Sequence, residues 1–361
     1  MSSLAERVRA LGLALGFERV GFGPAAPAPR NAFLREWIAR GYAGEMTYLA
    51  RRVEERIDPR RLVPGARSLI AVALRYAPAE AREESGAADC RIARYAGGDD
   101  YHEVLRERLD AFESGIEALA AAPIALRSYV DTGPVLERPA AARAGLGWIG
   151  KHTLLIDRAL GSYFFLGIVI TDLALPADAE EPDHCGTCRA CLDACPTDAF
   201  PEPYVLDATR CLSYTTIELR GAIPEALRGP QRDWVFGCDV CQEVCPWNAR
   251  AARSPEPASA AGAALRAQFA PRPALEAATL AWLLALDEDA WRAVTRRTAL
   301  RRAKYRGLLR NALVAAGNRG CAELREAVAR HAASADAGVA EHARWALARI
   351  DAAAAAPSAG A

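Results

Sequence analysis

"CGTCRACLDACP", residues 185–196, places four cysteines within twelve residues. The spacing C-x2-C-x2-C-x3-C-P is that of the bacterial ferredoxin run, in which three thiolates hold one iron–sulfur cubane and the fourth serves a second cluster. The stretch therefore predicts a ferredoxin-type domain with two [4Fe-4S] clusters.

A second group, "CDVCQEVCP" at 238–246, supplies only three cysteines, because position 235 of the same run is Val235. Cys211 is the only cysteine between the two groups, and it completes the eight thiolates that two cubanes need. The crossed assignment gives two sets of ligands, Cys185, Cys188, Cys191 with Cys245, and Cys195, Cys211 with Cys238 and Cys241.

Zinc is the alternative metal, since C-x2-C pairs also build zinc ribbons. Zinc sites use two such pairs and do not call for a run ending in C-x3-C-P, so the spacing favours the clusters. Cys90 and Cys321 fall outside the set and are predicted to be small buried hydrophobes.

The chain has 361 residues, with 45 basic and 45 acidic side chains, so affinity for nucleic acid would have to come from uneven charge. Glu6, Arg7 and Arg9 interrupt the apolar pattern of the N-terminus, which argues against a signal peptide. No run approaches the length of a membrane helix. We expect a cytoplasmic protein that has no membrane association and uses its cysteines for metal.

The pattern divides the chain into parts. Helices alternating with strands such as 68–76 predict an α/β domain over 1–178, with one long helix expected at 31–52. The Cys-rich part covers 179–252, an Ala- and Pro-rich linker 253–278, a helical part 279–352 and a disordered tail 353–361. "RNALVAA" at 310–316 and "RWALARI" at 344–350 form a weak 34-residue helical repeat.

A two-cluster module fused to an α/β domain indicates that electrons reach a cofactor or substrate there. Neither a dinucleotide G-x-G-x-x-G after a strand nor a phosphate-binding G-x-x-x-x-G-K-[ST] occurs. "GLGWIGK" at 145–151 is interpreted as a turn, or as a place where backbone approaches a bulky ligand.

Several long stretches, together with the eight cysteines, resemble the epoxyqueuosine reductase family. They are "RIARYAGGDDYHEVLRERL", "YVDTGPVLERPAAARAGLGWIGKHTLLI" and "RCLSYTTIE", and the resemblance extends in order over nearly the whole chain. It implies an α/β cobalamin-binding domain like that of reductive dehalogenases, a ferredoxin-like double [4Fe-4S] domain and an all-α, HEAT-like C-terminal domain. The implied oxidoreductase is a monomer. It takes electrons from an external donor and reduces epoxyqueuosine to queuosine at the wobble position of tRNA, the last step of queuosine biosynthesis.

The resemblance also implies site residues. Asp131 would donate the proton to the departing epoxide oxygen, provided that burial raises its pKa toward neutrality; a turn-forming Asp before Thr-Gly is the alternative. The corrinoid is held without a histidine ligand in this family, so His102 is interpreted as structural. The implied cobalamin contacts are Arg56, Ala93, Asp131, Leu155, Leu166, Ser213, Cys238 and Asp239.

Residues 291–320 contain nine basic residues and no acidic one. They are Arg292, Arg296, Arg297, Arg301, Arg302, Lys304, Arg306, Arg310 and Arg319. Arg297, Arg301 and Lys304 fall at i, i+4 and i+7, so we expect them to share one helix face that binds tRNA phosphates, with Leu309 and Leu313 in the core.

Two other functions fit parts of this pattern. One is a cobalamin-dependent reductive dehalogenase of a small molecule, which the basic C-terminal part and the lack of an export signal disfavour. The other is a non-enzymatic iron–sulfur protein for electron transfer or RNA binding, in which the α/β domain only docks a partner.

Overall fold

The computed structural model describes residues 2–27, 29–76, 90–253 and 259–355. Its strands are β1 Arg19–Pro24, β2 Ser68–Arg75, β3 Arg91–Ile92, β4 Leu126–Tyr129, β5 Trp148–Ile149, β6 Leu155–Ile156, β7 Phe164–Thr171 and β8 Trp234–Phe236. The helices before the cysteines are α1 Leu4–Ala14, α2 Phe33–Ala39, α3 Val53–Ile57, α4 Tyr101–Leu119 and α5 Glu137–Arg143. Those of the cysteine-rich part are α6 Ala190–Asp193, α7 Leu212–Ile217, α8 Glu225–Arg228, α9 Val240–Glu243 and α10 Pro246–Ala251. The remaining helices are α11 Ala260–Gln268, α12 Pro273–Glu276, α13 Leu280–Ala285, α14 Glu288–Val294, α15 Lys304–Arg319, α16 Arg325–Ala329 and α17 Ala337–Ala355.

The α/β part is built on a four-stranded antiparallel sheet with the order β1-β2-β7-β4. Every residue of β2 is buried, and Ser68 at its start pairs with Thr171 at the end of β7. Helices α1 and α4 cover one face of the sheet, and α5 covers the other. The long apolar runs of the central strands are explained by this cover on both faces.

Helix α4 begins where sequence chemistry places it. The side chain of Asp100 accepts a hydrogen bond from the backbone N–H of His102, which caps the first turn. Leu105, Leu109 and Phe112 lie on one stripe of the helix and are fully buried against the sheet. The cap fixes the position of His102 at the edge of the domain.

The single helix expected over 31–52 is wrong, because α2 ends at Ala39. Gly41 and Gly44 follow with φ angles of 76° and 54°, in the left-handed region that interrupts a right-handed helix. A Cβ on Gly44 would lie 2.4 Å from the hydroxyl oxygen of Tyr214, so this turn also packs closely on the cysteine-rich part.

The α/β part and the cysteine-rich part are joined by a short parallel pair of strands. Arg91 of β3 pairs with Trp234 of β8, and Ile92 pairs with Phe236. The cysteines that follow β8 are thereby held beside the α/β domain.

The predicted linker over 253–278 is wrong for the described residues 259–278, whereas 254–258 lie outside the described residues. Helices α11 and α12 form there, and Leu265 and Phe269 are buried in the core beneath α4. Leu275 joins the C-terminal core. Alanine and proline content misled the prediction, since a few large apolar residues suffice to dock the segment.

The C-terminal helices pack around α15, which contacts α17 along its length. Leu309 and Leu313 are buried there, as expected, and the two copies of the weak repeat lie on α15 and α17. The same core includes Val235 and Phe236 from the cysteine-rich part. The C-terminal helices therefore share one hydrophobic core with the cysteine-rich part.

Within the described ranges, none of the helices combines the length and the apolar composition needed to cross a membrane. Most of the predicted tail, 356–361, lies outside the described residues, and its first residues end helix α17.

Candidate active site

The motif cysteines occupy two similar loops, each with a short helix followed by Cys-Pro. Cys191 lies on α6 and Cys241 on α9. Cys195 and Cys245 precede the prolines, and Cys245 caps α10, whose first residue is Pro246. Pro246 begins a new helix directly after Cys245 and so fixes the direction of the chain there.

The thiols fall into two groups in space. Besides its burial, three cysteines raise the pKa of Cys191 to about 11, namely Cys245, Cys185 and Cys188. Burial and the nearby Cys211 raise the pKa of Cys238, and Cys195 adds to this. Burial also raises the pKa of Cys241, followed by the charges of Cys211 and Cys238. These neighbours agree with the crossed assignment, and the charge of Cys191 in the first group also reaches Cys241 in the second.

Among the described residues, no three His, Cys, Asp or Glu side chains converge closely enough to hold a single metal ion. The spacing of the cysteines predicts that they are ligands of cubanes, each of which has several iron atoms, and each thiol must lose its proton to bind iron.

The buried Lys151 contacts the loop that carries the first cysteine group, which is Cys185, Cys188, Cys191 and Cys245. Its ammonium donates hydrogen bonds to the carbonyls of Gly186, at 2.6 Å, and Cys188, at 2.8 Å. Trp148 and Trp247 pack edge to face beside this group, with ring centroids 4.9 Å apart. The lysine places a positive charge near four thiols that bind metal as thiolates.

A cleft opens between the second cysteine group and the α/β domain. Its cavity volume is about 420 Å³. Cys195, Cys211, Cys238 and Cys241 line one side. The aromatic and aliphatic lining includes Tyr95, Phe164, Phe165, Leu166, Phe200 and Leu212.

Six of the eight residues assigned to cobalamin line this cleft, namely Asp131, Leu155, Leu166, Ser213, Cys238 and Asp239. Arg56 and Ala93 do not. The Arg56 guanidinium donates to the carbonyl of Gly133 at 3.3 Å and lines a separate small cavity. Ala93 is buried, and its N–H donates to Phe236. Their positions therefore do not support direct contact of Arg56 or Ala93 with cobalamin. Arg56 instead stabilises the loop that carries Asp131, through its hydrogen bond to Gly133.

Asp131 lies in a turn directly after β4, with a φ angle of 51°. Aspartate tolerates this left-handed conformation better than most residues. Its N–H donates to Glu137 Oε1 at 2.5 Å, and its Oδ2 lies 3.0 Å from His102 Nε2. The side chain is 57% exposed at the cleft. The turn and the catalytic interpretations of Asp131 are therefore compatible.

The expectation of a raised pKa at Asp131 is wrong for this structure. Burial would raise the pKa of Asp131, but the hydrogen bond and the charge of His102 lower it. Burial and the negative charge of Asp131 raise the pKa of Glu137 to about 8 instead. Burial would lower the pKa of His102, but hydrogen bonds to Asp100 and Asp131 raise it to about 9.

Sequence reasoning missed His102 and Glu137 as members of the site. Glu137 lies within the quoted stretch "YVDTGPVLERP", six residues after Asp131, and a second carboxylate so close to a proposed acid is a usable signal. His102 was interpreted as structural, and its contact with Asp131 joins α4 to a loop that lies 29 residues further along the chain. Such contacts are invisible in a local pattern.

Two family models match the chain. The 4Fe-4S double cluster binding domain matches residues 184–248, and the epoxyqueuosine reductase QueG model, DUF1730, matches residues 56–132. The epoxyqueuosine reductase of Pseudomonas aeruginosa is 42% identical over 351 residues, which cover 96% of this chain and 94% of the relative. The chain belongs to the epoxyqueuosine reductase family. Its members are oxidoreductases, and the double-cluster domain is part of the enzyme.

Solved epoxyqueuosine reductases share the fold. A crystal structure of one with an epoxyqueuosine-modified tRNA-Tyr stem loop superposes with a TM-score of 0.86 at 28% identity, covering 96% of this chain and 90% of that one. The Bacillus subtilis enzyme, with its catalytic aspartate loop swung out of the active site, superposes with a TM-score of 0.83 at 27% identity, covering 96% and 90%. The mixed α/β, double-cluster and helical architecture is thereby confirmed.

The basic segment of this epoxyqueuosine reductase family member is less positive than its sequence indicates. Acidic residues from elsewhere pair with it: Glu103 with Arg297 at 2.7 Å and Glu218 with Arg302 at 2.9 Å. Arg292 and Arg306 are also in ion pairs, and Arg310 is buried. Within the described part of the chain, the exposed basic residues of the segment without an ion pair are Arg296, Arg301, Lys304 and Arg319.

The single helix face expected for Arg297, Arg301 and Lys304 is wrong. Helix α14 ends at Val294, Arg297 lies in a turn with a φ angle of 56°, and Arg301 lies in the 3-10 helix Ala299–Ala303. Lys304 begins α15. The three residues therefore belong to three different local structures, and of the basic residues between them Arg302 carries a charge that helps to lower the pKa of Asp131.

Proposed function

We propose that this chain reduces epoxyqueuosine to queuosine at the wobble position of tRNA, the last step of queuosine biosynthesis, with cobalamin bound in the cleft. The observation that carries the proposal is one cavity lined both by the second cysteine group and by Asp131 and Glu137. Electron carriers and proton-bearing groups thus face the same space. Epoxide reduction requires both.

The residues of the cleft fit a corrinoid. Aromatic and aliphatic side chains form much of the lining, which suits a large flat macrocycle. His152 is buried, and its Nε2 has no hydrogen-bond partner, whereas its Nδ1 accepts from the N–H of Leu154. Burial lowers the pKa of His152 to about 4, so the neutral ring offers a donor to a ligand in the cleft.

When bound, cobalamin supplies a low-potential metal centre that gives electrons to the substrate. Leu155, Leu166 and Ser213 would hold its faces and edges. Asp239 is 2% exposed, and its Oδ2 accepts from the N–H of Arg94 at 2.7 Å, which fixes the loop between Cys238 and Cys241 beside the ligand.

The proposed [4Fe-4S] ligands are the two cysteine groups already described. The second group lines the cleft and the first does not, so electrons would enter from an external donor at Cys185, Cys188, Cys191 and Cys245 and leave through the second cluster. Asp131 is the proposed proton donor to the departing oxygen.

The proposed tRNA surface is centred on Arg301 and Lys304, which are exposed. Arg297 shares its charge with Glu103 and is a weaker candidate than the sequence indicated. The epoxyqueuosine base would be turned out of the anticodon stack to reach the cleft. We also propose that the protein acts as a monomer in the cytoplasm.

The test is turnover of an epoxyqueuosine-containing anticodon stem loop by protein reconstituted with iron, sulfide and cobalamin under anaerobic conditions, with a chemical reductant. Mass spectrometry of the nucleosides should show loss of one oxygen atom. Asp131→Asn should abolish this conversion, whereas Asp198→Asn, whose side chain is 86% exposed, should retain it. Full activity of Asp131→Asn would contradict the assignment of the acid. No conversion by the reconstituted parent protein would contradict the function.

A further inference from the structure

His102 lies between two carboxylates at the edge of the cleft. Its Nδ1 is 2.8 Å from Asp100 Oδ1, and its Nε2 is 3.0 Å from Asp131 Oδ2. A neutral imidazole carries one N–H and can satisfy only one of these carboxylates, whereas the imidazolium satisfies both. The geometry is that of a protonated ring held by two charge-assisted hydrogen bonds.

The ring is held rigidly and still reaches water. It stacks on Tyr101 with centroids 4.0 Å apart, and Tyr101 stacks on Phe165 at 4.3 Å with an interplanar angle of 6°. Phe165 lines the cleft. The His102 side chain is 32% exposed, so it can exchange protons with solvent while its partner Asp131 faces the substrate space.

We infer that His102 is a proton-positioning residue, which stores a proton on its imidazolium and passes it to Asp131 as Asp131 protonates the departing oxygen. The inference rests on the proposed function. Reduction of the epoxide to the alkene breaks two C–O bonds, forms the C=C bond and releases the oxygen as water. It consumes two electrons, supplied by the external reductant, and two protons.

Each proton follows the same route in this scheme. The carboxylate of Asp131 takes the Nε2 proton of His102 and gives it, as the carboxyl group, to the departing oxygen, and solvent then reprotonates the imidazole. Asp100 keeps its hydrogen bond to Nδ1 throughout and stabilises the charged ring. Asp131 can therefore act as the acid although its own pKa is lowered.

The charged groups around His102 come from three elements. Asp131 and Glu137 lie on the turn after β4 and at the start of α5, and the negative Asp131 dominates. Arg302 acts on Asp131 from the 3-10 helix before α15. On α4 itself, Glu103 is already paired with Arg297. The two charges nearest to the His102 ring, those of Asp100 and Asp131, are both negative and both favour the imidazolium.

The protonation state can be measured without activity. The chain has five histidines, so proton–nitrogen correlation spectra of protein labelled with ¹⁵N-histidine can be assigned by single substitutions. His102 should titrate near pH 9, well above the ordinary value of 6.5, and Asp131→Asn should lower that midpoint. A midpoint at or below 6.5 in the parent protein would overturn the inference.

The role in turnover is tested by His102→Gln, with His331→Gln as the control, because the ring of His331 contacts the carbonyl of Leu284 in the C-terminal part. We expect a loss of about 100-fold or more at pH 8 for His102→Gln. The loss should shrink as the pH is lowered, because Asp131 then takes protons directly from water. The control should stay within about threefold of the parent, which corresponds to less than 1 kcal/mol.

His102→Ala leaves space for a small base, and added imidazole should restore much of its turnover. Binding of the stem loop and of cobalamin should remain within threefold for both His102 variants, because neither ligand is held by the proton. Parent-like rates at all pH values would refute the inference. So would a loss that neither imidazole nor lower pH reduces. If the parent protein does not turn over, the proposed function fails, and the titration still decides the protonation state of His102.

Discussion

Arg310→Met should destabilise the protein more than the same substitution at any exposed arginine of the basic segment. The Arg310 guanidinium is buried and donates to three backbone carbonyls of the cysteine-rich part, those of Leu219 at 3.0 Å, Gly221 at 2.5 Å and Thr215 at 2.6 Å. Its neighbour Asn311 donates to two more. This pair fastens α15 to the segment that follows Cys211.

The magnitude follows from two opposing effects. Charge-assisted hydrogen bonds are worth about 1.5–3 kcal/mol each, so three contribute about 4.5–9 kcal/mol. Burial lowers the pKa of Arg310 from 12.5 to about 10, and a shift of this size corresponds to about 3 kcal/mol of burial penalty, which methionine avoids. A net loss of about 2–6 kcal/mol remains, and three carbonyls are left without a partner.

Thermal unfolding of the reconstituted protein, followed by circular dichroism, measures this loss. For 361 residues that unfold together, a loss of about 4 kcal/mol lowers Tm by about 5 °C. Iron should also leave faster to a chelator, because Thr215 lies on α7, directly after Cys211. Arg319→Met is the matched control, since Arg319 is exposed at the end of the same helix. If both variants lower Tm equally, the hydrogen bonds of Arg310 do not fasten α15.

Three further outcomes are expected. Cys211→Ser should lower the iron content from about eight to about four atoms per chain, and Cys90→Ser should leave it unchanged. Burial raises the pKa of Glu137 to about 8, so the native state holds a proton that the unfolded chain releases near 4.5, and stability falls as the pH rises between these values; in Glu137→Gln this fall should be smaller in unfolding curves recorded at pH 5–8. Arg301→Ala with Lys304→Ala should weaken stem-loop binding and lower the slope of log affinity against log salt by about 1.5, whereas an unchanged slope would place the RNA elsewhere.

The sequence predicts much of the framework because its signals are local. Strand β2 is an almost continuous apolar run and helix α4 begins at a capping aspartate, so both appear within a short window. The crossed grouping of the cysteines also follows from spacing and from counting thiolates. The isolated Cys211 between the two runs decides this assignment, because it supplies the eighth thiolate that neither run contains.

Charge was predicted poorly because its partners are distant in sequence. Residues 291–320 contain no acid, yet Glu103 and Glu218 reach the segment from positions more than 80 residues away. The buried Arg310 gives no signal that distinguishes it from its exposed neighbours, since hydrogen bonds to backbone carbonyls leave no mark on composition. A run of like charges therefore predicts a patch only after tertiary partners are known.

The position of Asp131 shows why its chemistry could not be derived from its own environment in the sequence. Burial raises the pKa of a carboxyl group, and that reasoning applies here to Glu137, whose pKa is raised by burial and by the negative charge of Asp131. Asp131 faces His102, so its charge is stabilised and its pKa is lowered. His102 lowers the pKa of Asp131, whereas burial and the negative charge of Asp131 raise the pKa of Glu137, so two carboxyl groups six residues apart shift in opposite directions. An acid that is ionised at neutral pH can still deliver protons if a neighbouring cation resupplies them, and in this cleft that cation is the imidazolium of His102.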